Sequence, residues 1–281
     1  MRRLLFPLAL TVLALACGDN ETPPSPKGNY VGATPPPLPC VPNLDGRIDA
    51  SELRPVIGAT AQTLVSSPGT QRTVDTVGVE RDGKRFWTFD QDFPDDTVAL
   101  LTASTLEGKW YAGEFAGLVD AFVTNIDAGG TNEGVYTHSE QAFSLHGIVS
   151  KADGPNRTIL KYTTPIELYR FPLTPGLTYT TSADVQNGTF QGLPYAGRDT
   201  YEVKVDGSGE LRLPELTLQQ VLRVKLKVTV SPSSGVVTIT RQTQFLTECL
   251  GEVTRATSAP GEPNEDFTVA AELRRRGLAQ Q

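Results

Sequence analysis

The residues whose spacing speaks most directly of chemistry lie between Cys40 and Pro55, in the run CVPNLDGRIDASELRP. Asn43, Asp45, Gly46, Ile48, Asp49 and Glu52 fall on places three, five, six, eight, nine and twelve of a calcium-binding loop. The first place, where such loops carry aspartate, is Val41, so one direct carboxylate ligand is missing. The same residues also spell a capped turn of helix, with Asp49 as N-cap and Glu52 reaching back to it. Pro55 limits any helix here to about one turn. The capped turn is the expected structure. A weak calcium site on Asn43, Asp45, Asp49 and Glu52 is the competing reading, and no other cofactor is expected.

Other candidate groups are sparser. His138 and His146 are the two histidines, and no second close pair of ligands accompanies them as zinc spacing requires. They read as a loop and a strand position. Asp90, Asp92, Asp95 and Asp96 surround Phe93-Pro94. Such carboxylates can hold calcium or act in pairs on glycosidic bonds, but solvated loop acids are the expectation. Trp87 and Trp110 read as core aromatics rather than as a ligand groove. Asp206-Gly207-Ser208-Gly209 lacks the Gly-x-Ser-x-Gly elbow and the following helix of a serine hydrolase, and it reads as a hairpin turn. Neither a phosphate-binding nor a dinucleotide-binding glycine loop is present. No catalytic residue is assigned.

The three cysteines carry different expectations. Met1-Arg2-Arg3 precedes an apolar run from Leu4 to Ala16, which is too short for a bilayer span of about 20 residues. The run ends Ala14-Leu15-Ala16-Cys17, similar to the motif after which bacterial lipoproteins are cut and acylated. This predicts a signal peptide over 1–16 and a lipid on Cys17, with an ordinary signal peptide as the simpler alternative. Cys40 and Cys249 then remain. An exported chain meets an oxidising compartment, so a Cys40–Cys249 disulfide is expected.

These groups need elements to position them. Residues 17–39 are rich in proline and small polar residues and predict a disordered tether. The expected division is 1–16 signal, 17–39 tether, 40–58 loop segment and 59–281 an antiparallel β domain. The clearest strand is Leu222–Val230, where Leu222, Val224, Leu226, Val228 and Val230 alternate with Arg223, Lys225, Lys227 and Thr229. A period of two predicts one buried and one solvated face. Val236–Phe245 is expected to pair with it through Ser231-Pro232-Ser233-Ser234-Gly235. Asp82-Gly83 predicts a two-residue hairpin that sets Val79 opposite Phe86 and Glu80 opposite Arg85. The tail from Asn264 reads either as a capped helix ending at Gly277 or as a last strand, Phe267 to Arg274, beside Gly251–Thr257, and the strand is the reading preferred. The fold class is therefore all-β: an antiparallel β-sandwich or partly open barrel. A net charge of -7 excludes the broad positive field of non-specific nucleic-acid binding.

The segments ALAC, CVPNLDG, Phe171-Pro172-Leu173 with Gly176, VDGSGELRLP followed by VLRVK, and FLTECLGEV with AAELRRRGL together resemble a family of predicted lipoproteins of myxobacteria. The resemblance implies an exported β-rich envelope protein and carries over no catalytic residue. The expected function is that of a non-enzymatic binding or scaffolding lipoprotein. It would be anchored through Cys17 to the membrane and partnered by an envelope protein, glycan or lipid. Gly18 after Cys17 points to the outer membrane. A carrier of lipids or other hydrophobic ligands is one alternative, and an envelope glycan hydrolase is another.

Overall fold

The computed structural model describes residues 40–127 and 129–277. The expected signal peptide, the acylation site Cys17 and the tether lie outside these residues. In chain order the strands are β1 (Thr60–Val65), β2 (Arg72–Thr73), β3 (Val79–Arg81), β4 (Lys84–Thr88), β5 (Thr97–Thr102) and β6 (Ser104–Thr105). They continue with β7 (Phe122–Asn125), β8 (Asn132–His138), β9 (Ala142–Ser150), β10 (Ile159–Arg170), β11 (Thr178–Phe190) and β12 (Leu193–Arg212). The last five are β13 (Thr217–Pro232), β14 (Thr238–Thr247), β15 (Gly251–Thr257), β16 (Val269–Ala270) and β17 (Glu272–Arg276). Two 3-10 turns, Ala50–Leu53 and Ala112–Phe115, complete the elements.

The all-β expectation holds. The main sheet runs β5-β1-β17-β15-β14-β13-β12-β11-β10-β9-β8-β7-β6 and is nearly closed on itself. Its two end strands, β5 and β6, are separated in the chain by Ala103 alone. The hairpin at Asp82-Gly83 forms in the expected register, with both residues at positive φ (52° and 73°). β13 pairs with β14 from Leu222↔Leu246 to Val230↔Thr238, and β17 lies beside β15, as expected. Phe267 and β16 leave that last strand: Phe267 is buried, and β16 pairs with β2 in a small sheet of its own.

Two expectations fail for physical reasons. Asp206-Gly207-Ser208-Gly209 is not a turn, because β12 continues through it with bulges beside Gly207 and beyond Gly209. There β12 changes partners along one edge. β11 pairs with its Leu193–Lys204 stretch, and β4 then pairs with Gly209–Arg212 in parallel. The glycine permits this approach, since a Cβ on Gly209 would sit 2.2 Å from the Arg85 carbonyl oxygen. β13, in turn, is buried on both faces. Leu222, Val224, Leu226 and Val228 enter an inner core with Tyr162, Ile166, Tyr201 and Val205. Val221 enters a second core with Trp87, Phe89, Phe245 and Phe267, and Arg223 and Lys225 are buried beside it. Asp206, bulged out of the β12 ladder, meets both cations. It binds Arg223 through two bonds (2.7 and 2.8 Å) and Lys225 at 3.0 Å.

Residues 40–58 do not form a separate segment. Ile48 and Leu173 exchange backbone hydrogen bonds of 3.0 and 2.9 Å. Cys40 and Cys249 are disulfide-bonded, with Cα atoms 5.5 Å apart. Glu248 accepts hydrogen bonds from the amides of Asn43 (2.6 Å) and Leu44 (2.9 Å). Pro39–Gln281 is one compact unit, and its described residues hold three hydrophobic cores and the disulfide.

Candidate functional site

The sheet leaves a cavity of about 310 Å³ where strands from its two halves face each other. β5, β1, β17, β15 and β14 supply one wall through Leu101, Ala61, Arg274, Arg276, Glu252, Arg255 and Leu246. β7, β8, β9 and β10 supply the other through Phe122, Thr124, Asn125, Tyr136, Phe143, Leu168 and Tyr169. The turn Ala50–Leu53 and the residues after it (Arg54, Pro55, Val56) border the mouth, together with Cys249 and Leu250. Leu53, Phe122, Tyr136, Tyr169 and Leu246 belong to the inner core, so the floor is packed apolar surface. The disulfide and the Glu248 contacts pin the turn that borders the mouth.

The polar lining is mainly cationic, with four arginines (Arg54, Arg255, Arg274 and Arg276) against two glutamates, Glu52 and Glu252. β17 explains the arginines. Its alternation sends Arg274 and Arg276 to the cavity, while Arg275 turns to the opposite face and donates to Asp96 and to the Phe89 and Gln91 carbonyls. Arg255 donates to Glu252 at 2.9 Å; burial pulls its pKa down, but its surroundings, the Glu252 carboxylate foremost, together raise it. Arg274 donates to Glu272 and to the Ile126 carbonyl oxygen (2.7 Å). Arg54 pairs with Glu140 at the exposed surface, 3.0 Å away. The Arg276 side chain makes no ion pair or hydrogen bond with another described residue, and burial lowers its pKa. The tyrosines stay neutral: burial pushes the Tyr136 hydroxyl up to about 12 and raises Tyr169 well above its ordinary value.

Comparison with protein-family models, with curated proteins and with solved structures returned no match for this chain. The reading of the site therefore rests on its geometry.

Of the residues singled out in sequence, Glu52 and Cys249 line this cavity. Glu52 accepts from the Asp49 amide at 2.8 Å, as a capping residue does. Burial raises its pKa, against the Asp49 hydrogen bond and with help from Glu248. Asp45 and Asp49 face Arg47, at 3.2 and 2.9 Å, and Asn43 accepts from the Asp45 amide. The side chains of Asn43, Asp45, Asp49 and Glu52 are thus turned onto the loop's own amides and Arg47, in the arrangement of a capped turn. Among the described residues no three His, Cys, Asp or Glu side chains converge as a metal site.

The acid-rich loop departs from expectation. Asp90 and Asp92 are exposed, but the Asp96 side chain is buried and joins Arg72 (2.9 Å) to Arg275, while Asp95 also binds Arg72 (2.7 Å). Phe93 lies between the two guanidinium groups, 4.3 and 4.9 Å from its ring centre. These acids anchor buried arginines and do not face a groove in pairs. Trp87 is core, packed edge-on to Phe245 at 5.0 Å, and Trp110 donates to the Ser150 carbonyl at 2.9 Å. His146 bonds Thr137 at 2.8 Å within the sheet; His138 ends β8. Burial lowers the pKa of both histidines.

One buried acid escaped sequence reasoning. Asp199 on β12 is 4% exposed and accepts from the Tyr162 hydroxyl at 2.6 Å, and its other oxygen has no partner. Burial raises its pKa, and the Tyr162 hydrogen bond offsets only part of that. The folded state therefore holds this proton more tightly than the unfolded chain, where an aspartate titrates near 4. Stability from this group is fully present below that pH and is lost as pH rises through the folded value. Asp199→Asn is expected to stabilise the protein at pH 7 and to change little at pH 3.5. Urea midpoints at the two pH values check this, and equal destabilisation at both would contradict it.

Proposed function

We propose that this chain is a non-enzymatic binding protein of the cell envelope. In this reading it is held by a lipid on Cys17, and its β body takes a small hydrophobic molecule into the cavity between the sheet halves. The cavity is the observation that carries the reading. Ligand sites are concave, mostly apolar and furnished with a few placed polar groups, and about 310 Å³ lies at the small end of their usual range. The run ALAC, the tether and the resemblance to myxobacterial lipoproteins support the anchor. The disulfide supports an oxidising compartment. Gly18 supports an outer-membrane address. The cavity's two carboxylates are committed, Glu52 to the Asp49 amide and Glu252 to Arg255, which favours binding over glycan hydrolysis.

The test uses residues 18–281, oxidised, titrated with the neutral fluorophore N-phenyl-1-naphthylamine. Saturable binding of one probe per chain is expected, and Ala103→Trp, which fills the cavity, should lower the affinity at least tenfold while the circular dichroism spectrum is kept. Binding that does not saturate, or that survives the tryptophan, contradicts the reading. In cells, a fatty-acid probe should label wild-type protein and not Cys17→Ala; an unlabelled wild type would remove the anchor.

A further inference from the structure

We propose that the cavity selects an organic anion of roughly ten heavy atoms in all, an apolar body with one carboxylate-type head that pairs with Arg276. The inference rests on the binding role proposed above and adds the ligand's charge. Three observations carry it. The lining holds four arginines and two glutamates, in a chain whose net charge is -7, so the positive character is local to the cavity. The other three arginines are already matched: Arg255 by Glu252, Arg274 by Glu272 and the Ile126 carbonyl, and Arg54 by Glu140. Arg276 alone of the four has no partner among the described residues.

Arg276 is half-buried, and a guanidinium partly withdrawn from water without a partner is matched best by a bidentate carboxylate. Leu101, Ala103, Phe122, Phe143, Leu168 and Leu246 offer the body of such a molecule apolar surface. At about 30 Å³ per water-sized unit, the space takes about ten such units, the size of an eight-carbon chain with its head group.

The experiment compares octanoate with 1-octanol on residues 18–281 by displacement of N-phenyl-1-naphthylamine, in wild type, Arg276→Gln and Arg276→Lys. Octanoate is expected to bind at least tenfold more tightly than octanol. Arg276→Gln should bring octanoate down to the octanol value and leave octanol unchanged, while Arg276→Lys keeps part of the preference. Equal affinities for the two ligands in wild type, or a preference that survives Arg276→Gln, would overturn the charge assignment and leave the hydrophobic site standing. Failure of both ligands to displace the fluorophore would overturn both. Unchanged octanol binding in the glutamine variant also shows that it is folded.

Discussion

Replacing Cys40 and Cys249 together by alanine is expected to lower the stability of the oxidised protein by about 4–5 kcal/mol. The bridge joins positions 209 residues apart, so it closes almost the whole described body into one loop. In the chain-entropy account, a cross-link restricts the unfolded chain by an amount that grows with the logarithm of the loop. This loss is a large fraction of the roughly 5–15 kcal/mol that holds an ordinary domain together. A second consequence is local. The Cys249 amide donates to the Glu52 carbonyl at 2.8 Å, and Glu52, Leu53 and Cys249 all border the cavity. Without the bridge, the 40–53 segment keeps the Glu248 contacts but loses its covalent tie, and probe affinity should fall with stability. Urea unfolding of wild type with and without reductant, beside the double alanine variant, checks the effect. A loss under 1 kcal/mol would mean that the unfolded chain is restricted by other means.

Asp206→Ala is the second large effect, a destabilisation of about 3–5 kcal/mol. The side chains of Arg223 and Lys225 are each 7% exposed, and Asp206 is 9% exposed. Removing the carboxylate leaves two buried cations with Asp266, at 40% exposure, as the nearer remaining acid for Lys225. Breaking a buried pair costs more than the pair itself contributes, because the orphaned charge stays desolvated. The double variant Asp206→Ala, Arg223→Met should therefore recover part of the loss, which a simple count of lost contacts would not predict. Chemical denaturation of both variants decides this. A cost below 1 kcal/mol for the single change would place Asp206 with solvated surface pairs.

These two sites differ in how legible they were. The disulfide followed from three cysteines once one was expected to carry lipid. The β3–β4 register followed from Asp82-Gly83, since both positions need positive φ. The capped turn at Asp49–Glu52 followed from the spacing of acid and backbone amide. The buried cations on β13 were hidden because alternation reports which residues are polar and not what covers them. Their cover comes from Thr76, Asp206 and Asp266, far apart in the chain. Asp-Gly-Ser-Gly misled for a related reason: glycines that let β4 approach β12 look the same in sequence as glycines that let a chain turn. The cavity was beyond sequence reasoning altogether. Its lining comes from nine strands and one turn, and only the three-dimensional alternation of β17 separates Arg276 from Arg275 within an arginine run.

The most direct test of the central claim, that the space between the sheet halves is a ligand site, is a methyl-resolved NMR titration of residues 18–281 with N-phenyl-1-naphthylamine. Shifts are predicted at Leu53, Leu101, Leu168, Leu246 and Leu250, with the methyls of Val98, Leu193 and Val236 on exposed positions unmoved. Shifts confined to those exposed methyls, with the cavity leucines silent at saturating probe, would contradict the account.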